Sequence, residues 1–293
     1  MTVQVKVFFH QDTGTLSYLV IDNKQQHAVI IDSVLDFDLA SGEVTAEFAN
    51  QQLAYLSDNN LKLVWILDTH AHADHLSAAN YLRTKTGAKT VIGQGITEVQ
   101  SRFAQTFNRG NSEPHRQHDF DYLLAEAEQL TFGSASLTGI STPGHTSDSL
   151  SYVIEDNVFV GDTLFMPDGG TARCDFPGGD AEILWDSIAR LHRLPDHYKI
   201  WVCHDYQPDG RELRYQTTVK ESRESNIHVN SEKLKSAYVE LRTKRDATLG
   251  APKLLYPSLQ VNLWGARLPE TENNGVRYIK IPLTDKTTTQ EGN

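Results

Sequence analysis

The apolar run Leu63-Val64-Trp65-Ile66-Leu67 leads almost directly into Thr69-His70-Ala71-His72-Ala73-Asp74-His75. A buried strand that ends in three histidines and an aspartate within six residues must bring them into a small volume. A lone histidine in such a loop is most simply a hydrogen-bonded polar residue. Four such groups together are better explained as metal ligands, since imidazole and carboxylate are what zinc and iron take. The stretch therefore demands a fold in which a strand stops here and presents a metal site at its end.

The rest of the chain supplies comparable strand ends. Residues 3–9 alternate towards Phe8 and Phe9, and Ser17–Ile21 and Ala28–Asp32 form a hairpin pattern around Asp22-Asn23-Lys24. Val44, Phe48, Leu53 and Leu56 lie at helical spacing in 43–59. A helix is predicted over 75–86 with Gly87 as its C-cap, then a strand at Thr90–Ile92 and a helix from Thr97 to near Phe107. Residues 108–121 are polar and turn-rich, an insertion or surface loop. Strands follow over 135–140, 150–154 and 158–160, a helix around 180–193 and a strand over 199–203. After Gly210 the pattern is mostly helical to about 248, with a proline-punctuated tail. Strands and helices thus mix in two similar halves with polar clusters at strand ends, where layered α/β folds carry their sites.

Composition removes several classes of function. A net charge of -11 argues against a nucleic-acid surface, which needs clustered Lys and Arg, and reads most simply as solubility. The 293 residues suffice for a sizeable core, and the two cysteines, Cys174 and Cys203, make no disulfide framework. Met1–Val7 shows no charged-then-apolar leader pattern, and no apolar run approaches the roughly 18 residues of a membrane span. The expectation is a cytoplasmic protein that binds neither nucleic acid nor membrane. The oligomeric state stays open, the helical tail being available for a homo-oligomer.

Three later strand ends each carry one polar residue suited to the same site. His145 follows the strand ending at Ile140, Asp162 the strand ending at Val160, and His204 the strand ending at Cys203. Each alone is explained by capping or a turn; four strand ends repeating one theme are not. In this order, His70-x-His72-x-Asp74-His75, His145, Asp162 and His204 resemble the metallo-β-lactamase superfamily. The resemblance implies an α+β fold, the αβ/βα sandwich of two mixed β-sheets with helices outside and metal at one edge. It divides the chain into a catalytic domain over 1–209 and a helical C-terminal extension over 210–293 packed on it.

A narrower likeness selects a branch. Gly161-Asp162-Thr163-Leu164-Phe165, Thr171 to Gly179, Thr15–Leu19, Ile31–Leu35, Cys203-His204-Asp205-Tyr206 and Pro257–Asn262 are similar to persulfide dioxygenases, with the long segment at 97–125 and the tail resembling bacterial β-lactamase hydrolase-like members. What this implies is an enzyme that oxidises glutathione persulfide with O2 to sulfite and glutathione at one Fe(II) per chain. Carried onto this sequence, the catalytic metal ligands are His70, His145 and Asp162, which leave open positions on a six-coordinate ion for persulfide and O2. His72, Asp74, His75 and His204 then form hydrogen bonds around the ligands.

Glutathione carries two carboxylates, so Arg173, eleven residues after Asp162, is a candidate clamp, against the reading of a structural arginine. Tyr206 is a second substrate candidate, against that of a packed ring. His115 and His118 read as solvent-exposed loop residues, and His10, His27, His192, His197 and His228 lack ligand spacing. Cys203, Cys174, Trp65, Trp185 and Trp201 read as packing residues. Lys233, Lys235, Arg242, Lys244 and Arg245 read as the wet face of a helix. The alternative function is a dinuclear glutathione thioester hydrolase of the glyoxalase II kind, which shares the motif; a non-catalytic metal-bearing sensor is the third, disfavoured by the complete ligand set.

Overall fold

The period-2 distribution of apolar side chains explains how the strands stack. In a computed structural model, which describes residues 2–109 and 119–284, Leu16, Tyr18 and Val20 of one strand join a core shared with the opposite sheet, while Leu19 and Ile21 point to helices outside. A strand buried on both faces in this way belongs in the middle layers of a four-layer fold.

The first half runs β1 (Val3–His10), β2 (Thr15–Asp22), β3 (His27–Ile31), β4 (Val34–Asp38), β5 (Glu43–Thr45), α1 (Glu47–Asp58), β6 (Lys62–Leu67), β7 (Leu76–Ser77), α2 (Ala79–Thr86), β8 (Lys89–Gly93), α3 (Ile96–Ala104) and β9 (Tyr122–Leu124). The second runs β10 (Gln129–Phe132), β11 (Ala135–Ser141), β12 (Leu150–Ile154), β13 (Asn157–Phe159), α4 (Ala181–Leu191), β14 (Lys199–Trp201) and β15 (Gln216–Thr218), followed by α5 (Val219–Ser225), α6 (Lys235–Asp246) and α7 (Leu255–Asn262). One sheet has the order β1-β2-β3-β6-β8-β9 and the other β10-β11-β12-β13-β14-β15. Both are mixed: β3, β6, β8 and β9 are parallel neighbours, as are β13 and β14, and the other pairs are antiparallel. This is the α+β sandwich, with helices outside the paired sheets.

Three local readings are corrected. The helix predicted over 75–86 starts at Ala79, because Leu76 and Ser77 pair with Leu35 and Val34 as β7. Ser77 Oγ accepts from the amide of Ala79 at 3.1 Å, just ahead of the helix. Val44, read as helical, lies in β5 paired with β4. Residues 216–218, read within the helical extension, form β15, which pairs with β14 and extends the second sheet past residue 210. Residues 110–118, including His115 and His118, lie outside the described residues. Among the described residues no helix is long and apolar enough to cross a membrane.

Candidate metal centre

His70 follows β6, His145 lies in the β11–β12 loop, Asp162 follows β13 and His204 follows β14. Two glycines allow these segments to meet. Gly144, at φ +133°, lies where a Cβ would run into the backbone of Leu184, and Gly161, at φ +51°, where it would run into Thr69.

The orientation of His70 begins at Asp32, a residue of left-handed backbone just past β3. Its carboxylate accepts from the amide of Thr69 at 2.7 Å and from Thr69 Oγ1 at 3.0 Å. The hydroxyl proton being used there, Thr69 Oγ1 is left to accept from His70 Nδ1 at 3.0 Å, and His70 Nε2 keeps its lone pair. His145 reaches the same state differently: its Nδ1 donates to the carbonyl of Arg173 at 2.7 Å, and its Nε2 stands 3.7 Å from Asp162 Oδ2. One donor atom from each of His70, His145 and Asp162 lies within 4.8 Å of the others.

A second set lies across Asp162. His204 Nδ1 donates to the carbonyl of Gly14 at 3.1 Å, and its Nε2 stands 3.4 Å from Asp162 Oδ1 and 3.2 Å from Asp74 Oδ2. His75 Nδ1 is 3.3 Å from the same Asp74 oxygen. Asp162 thus offers one oxygen to each set. His72 donates from Nε2 to Asp32 at 2.9 Å, leaving Nδ1 to face inward.

These residues fit a cation. His72 Nδ1, His75 Nε2 and Asp162 Oδ1 are buried without a hydrogen-bond partner among the described residues. Buried polar atoms are normally satisfied, and a metal ion is what imidazole and carboxylate donors in this arrangement satisfy. The same neighbours set the protonation of these groups. Burial opposes charge on His72, yet the carboxylate of Asp32 pushes it up to about 10, so a proton and a cation compete for the same nitrogen. Asp74 is held well below the usual carboxylate range, burial being outweighed by His75 and His204. His70 lies well below the usual imidazole value through burial and the neighbouring His72 and His145, which suits a neutral ligand.

A cavity of about 420 Å³ opens onto Asp74, His145, Asp162 and His204. Its outer wall carries Arg173, Tyr206 and Arg245. The Arg173 guanidinium forks onto Asp175 at 2.5 Å and donates to the carbonyl of Gly250 at 2.9 Å. Tyr206 is 68% exposed and stacks on His204 with ring centroids 6.0 Å apart.

The wet-face reading fails for Arg242, which is 2% exposed, bonded to Asp246 and to the carbonyl of Thr171, because α6 turns this face inward. Arg245, one turn on, is exposed at the cavity with no guanidinium partner among the described residues; helical periodicity groups it with Arg242 but cannot show what covers either. Trp201 is buried, whereas Trp65 and Trp185 are only half-buried. Cys174 is buried, its thiol pushed up to about 12 by burial, and Cys203 lies buried 3.7 Å from Asp32.

Sequence reasoning passed over Asp32, Thr69, Asp68 and Asp148. Asp68 accepts from Ser77 Oγ, and burial pushes its carboxyl up to about 7; Asp148 accepts from the amide of Ala71 at 2.8 Å. Asp32 did carry a signal, a carboxylate directly after an apolar strand like Asp162.

The family described as the metallo-beta-lactamase superfamily matches residues 11–204. A probable metallo-hydrolase of Burkholderia pseudomallei is 45% identical over 289 residues, 95% of this chain and 98% of that protein. Glyoxylase B2 of Dictyostelium discoideum is 46% identical over 282 residues, 96% of this chain and 97% of that one. The mitochondrial persulfide dioxygenase ETHE1 of Bos taurus is 28% identical over 208 residues, 70% of this chain and 69% of that protein. The crystal structure of ETHE1 from Myxococcus xanthus superposes with a TM-score of 0.72 at 28% identity, covering 90% of this chain and all of that one, 100%.

Proposed function

This chain belongs to the metallo-β-lactamase superfamily, and from that premise we propose that it is a persulfide dioxygenase acting on glutathione persulfide. The observation that carries the reading is the set His70, His145 and Asp162: two imidazoles with their outer nitrogens tied back, and one carboxylate, beside an open cavity. Two histidines and a carboxylate with free positions are the ligand set of non-haem iron oxygenases. Iron(II) held there by His70, His145 and Asp162 would supply the redox chemistry by which O2 oxidises the outer sulfur of the persulfide, a water then releasing it as sulfite and leaving glutathione. The likeness to the ETHE1 proteins supports the same choice.

The chain's own residues do the rest. Thr69 and the carbonyl of Arg173 hold the two imidazoles as neutral donors. Arg245 offers its guanidinium to a glutathione carboxylate at the cavity mouth. Arg173 lines the same wall but shares its fork with Asp175, so its part in binding is smaller. Tyr206, standing over His204, presents a phenol to the tripeptide. The site lies at strand ends, so the sheet rather than substrate binding sets its geometry.

A second reading, a dinuclear thioester hydrolase acting through a metal-activated water, draws on the oxygen that Asp162 presents to each donor set and on the relatives named glyoxylase and metallo-hydrolase. One experiment separates the two. The protein is purified anaerobically, its metals are counted, and O2 consumption is followed with glutathione persulfide. About one iron per chain and O2 uptake matched to substrate are expected. Two zinc ions with thioester cleavage and no O2 uptake would overturn the proposal.

A further inference from the structure

The loop that carries His72, Asp74 and His75 is held in an unusual way. The preceding residues are tied to the sheets: the amide of Leu150 donates to Thr69 and that of Asp68 to Val91. Among the described residues, no backbone-to-backbone hydrogen bond reaches residues 72–75. The bonds come instead from one side chain far along the chain. Asn262 Nδ2 donates to the carbonyls of His72 and His75, both at 2.8 Å, and Asn262 Oδ1 accepts from the amide of Ser77 at 2.8 Å. Asn262 is 3% exposed and ends α7, a helix clasped between two apolar clusters through Val261 on one side and Leu259 on the other.

We propose that Asn262 is a positioning residue of the metal centre, through which the C-terminal helix sets the loop bearing His72, Asp74 and His75. An amide is the side chain for this role: it alone offers two donors and an acceptor from one short planar group. Buried carbonyls without partners destabilise a conformation, so without Asn262 the loop gains reason to move. Asn262 does not line the cavity, and its effect travels through the backbone of the metal-facing residues. The proposal rests on the presence of a metal centre and not on which reaction that centre runs.

Cobalt(II) binding to the metal-free protein, followed by visible absorption and chelator competition, tests it. Asn262→Asp keeps the acceptor for Ser77 and loses both donors. Its added negative charge attracts a cation, so electrostatics alone predicts tighter binding, whereas loss of positioning predicts binding weaker by about 10–100-fold and an altered cobalt spectrum. Asn262→Leu, similarly branched and uncharged, should weaken binding likewise. Gln260→Ala removes the bonds from α7 to Lys280 without touching the loop and should bind cobalt as the unchanged chain does. Unchanged affinity and spectrum in a folded Asn262 variant, or an equal loss in Gln260→Ala, would overturn the proposal. In the unmodified protein, slow hydrogen exchange at the Ser77 amide, comparable to that in β6, is required whatever the variants do; fast exchange there overturns it as well.

Discussion

His70 and His145 each follow a residue held by a backbone hydrogen bond from another segment, Thr69 by Leu150 and Gly144 by Asp180, whereas Asp74 and His75 ride on a loop that no backbone pairing reaches among the described residues. The two sets use similar donors and share Asp162, yet they differ in support. In the first, a second protein group fixes the outer nitrogen of each imidazole: Thr69, itself held by Asp32, and the carbonyl of Arg173. In the second, the outer nitrogen of His204 is fixed by Gly14, but His75 divides its contact between Asp74 at 3.3 Å and Thr15 at 3.4 Å. The difference teaches that a ligand list does not rank affinity; the cost of holding each donor in place does. On that argument the first set would hold an ion more firmly than the second, which is the sense of the proposed mononuclear reading.

The largest effect that bears on this contrast is removal of a donor from each set. His70→Ala should lose iron and activity by well over the roughly 100-fold that loss of an outer partner costs, whereas His75→Ala should weaken iron binding by only about 10–100-fold, so that iron is retained when the metal is in excess. Metal content and turnover measured side by side check this, and the reverse order would break the contrast. A smaller effect is expected from Asp32→Asn, which keeps the size of the side chain but weakens the acceptor for Thr69 and His72 alike. About tenfold weaker metal binding is expected, and normal affinity would show that the outer tether of the first set is dispensable. The smallest concerns approach to the site. Arg245→Ala should raise KM for glutathione persulfide roughly fivefold with kcat and iron unchanged, the scale of an exposed ion pair, while Arg173→Ala should do less because Asp175 already occupies its fork. Steady-state kinetics with an iron assay separates binding loss from metal loss.

The strands were legible because their signals are local. Apolar runs of four to six residues ended by polar clusters mark strands, and the alternation in β2 decides which residues face the opposite sheet and which the helices. The placement of His70, Asp162 and His204 was legible for the same reason: each follows an apolar run by a few residues, so its position past a strand end is a short-range consequence. Misreadings arose where a distant segment decided the outcome. Leu76 and Ser77 continue a helical pattern, but β4 pairs with them. Arg242 and Arg245 look alike on a helical wheel, but packing against Thr171 and Asp246 buries the first while the second stays exposed.

Residue type and spacing within about ten positions set the short apolar strands and the polar residues at their ends, while the sandwich of two mixed sheets was what the family resemblance implied. Tertiary structure alone decided which nitrogen of each histidine is free, because Thr69, Asp32, Gly14 and the carbonyl of Arg173 reach them from other segments. It decided as well that Asp162 faces both donor sets and that Asn262 grips the loop of the histidine cluster from the far end of the chain. The physical reason is that a hydrogen bond depends on distances of a few tenths of an ångström between groups whose separation along the chain carries no information about their separation in space.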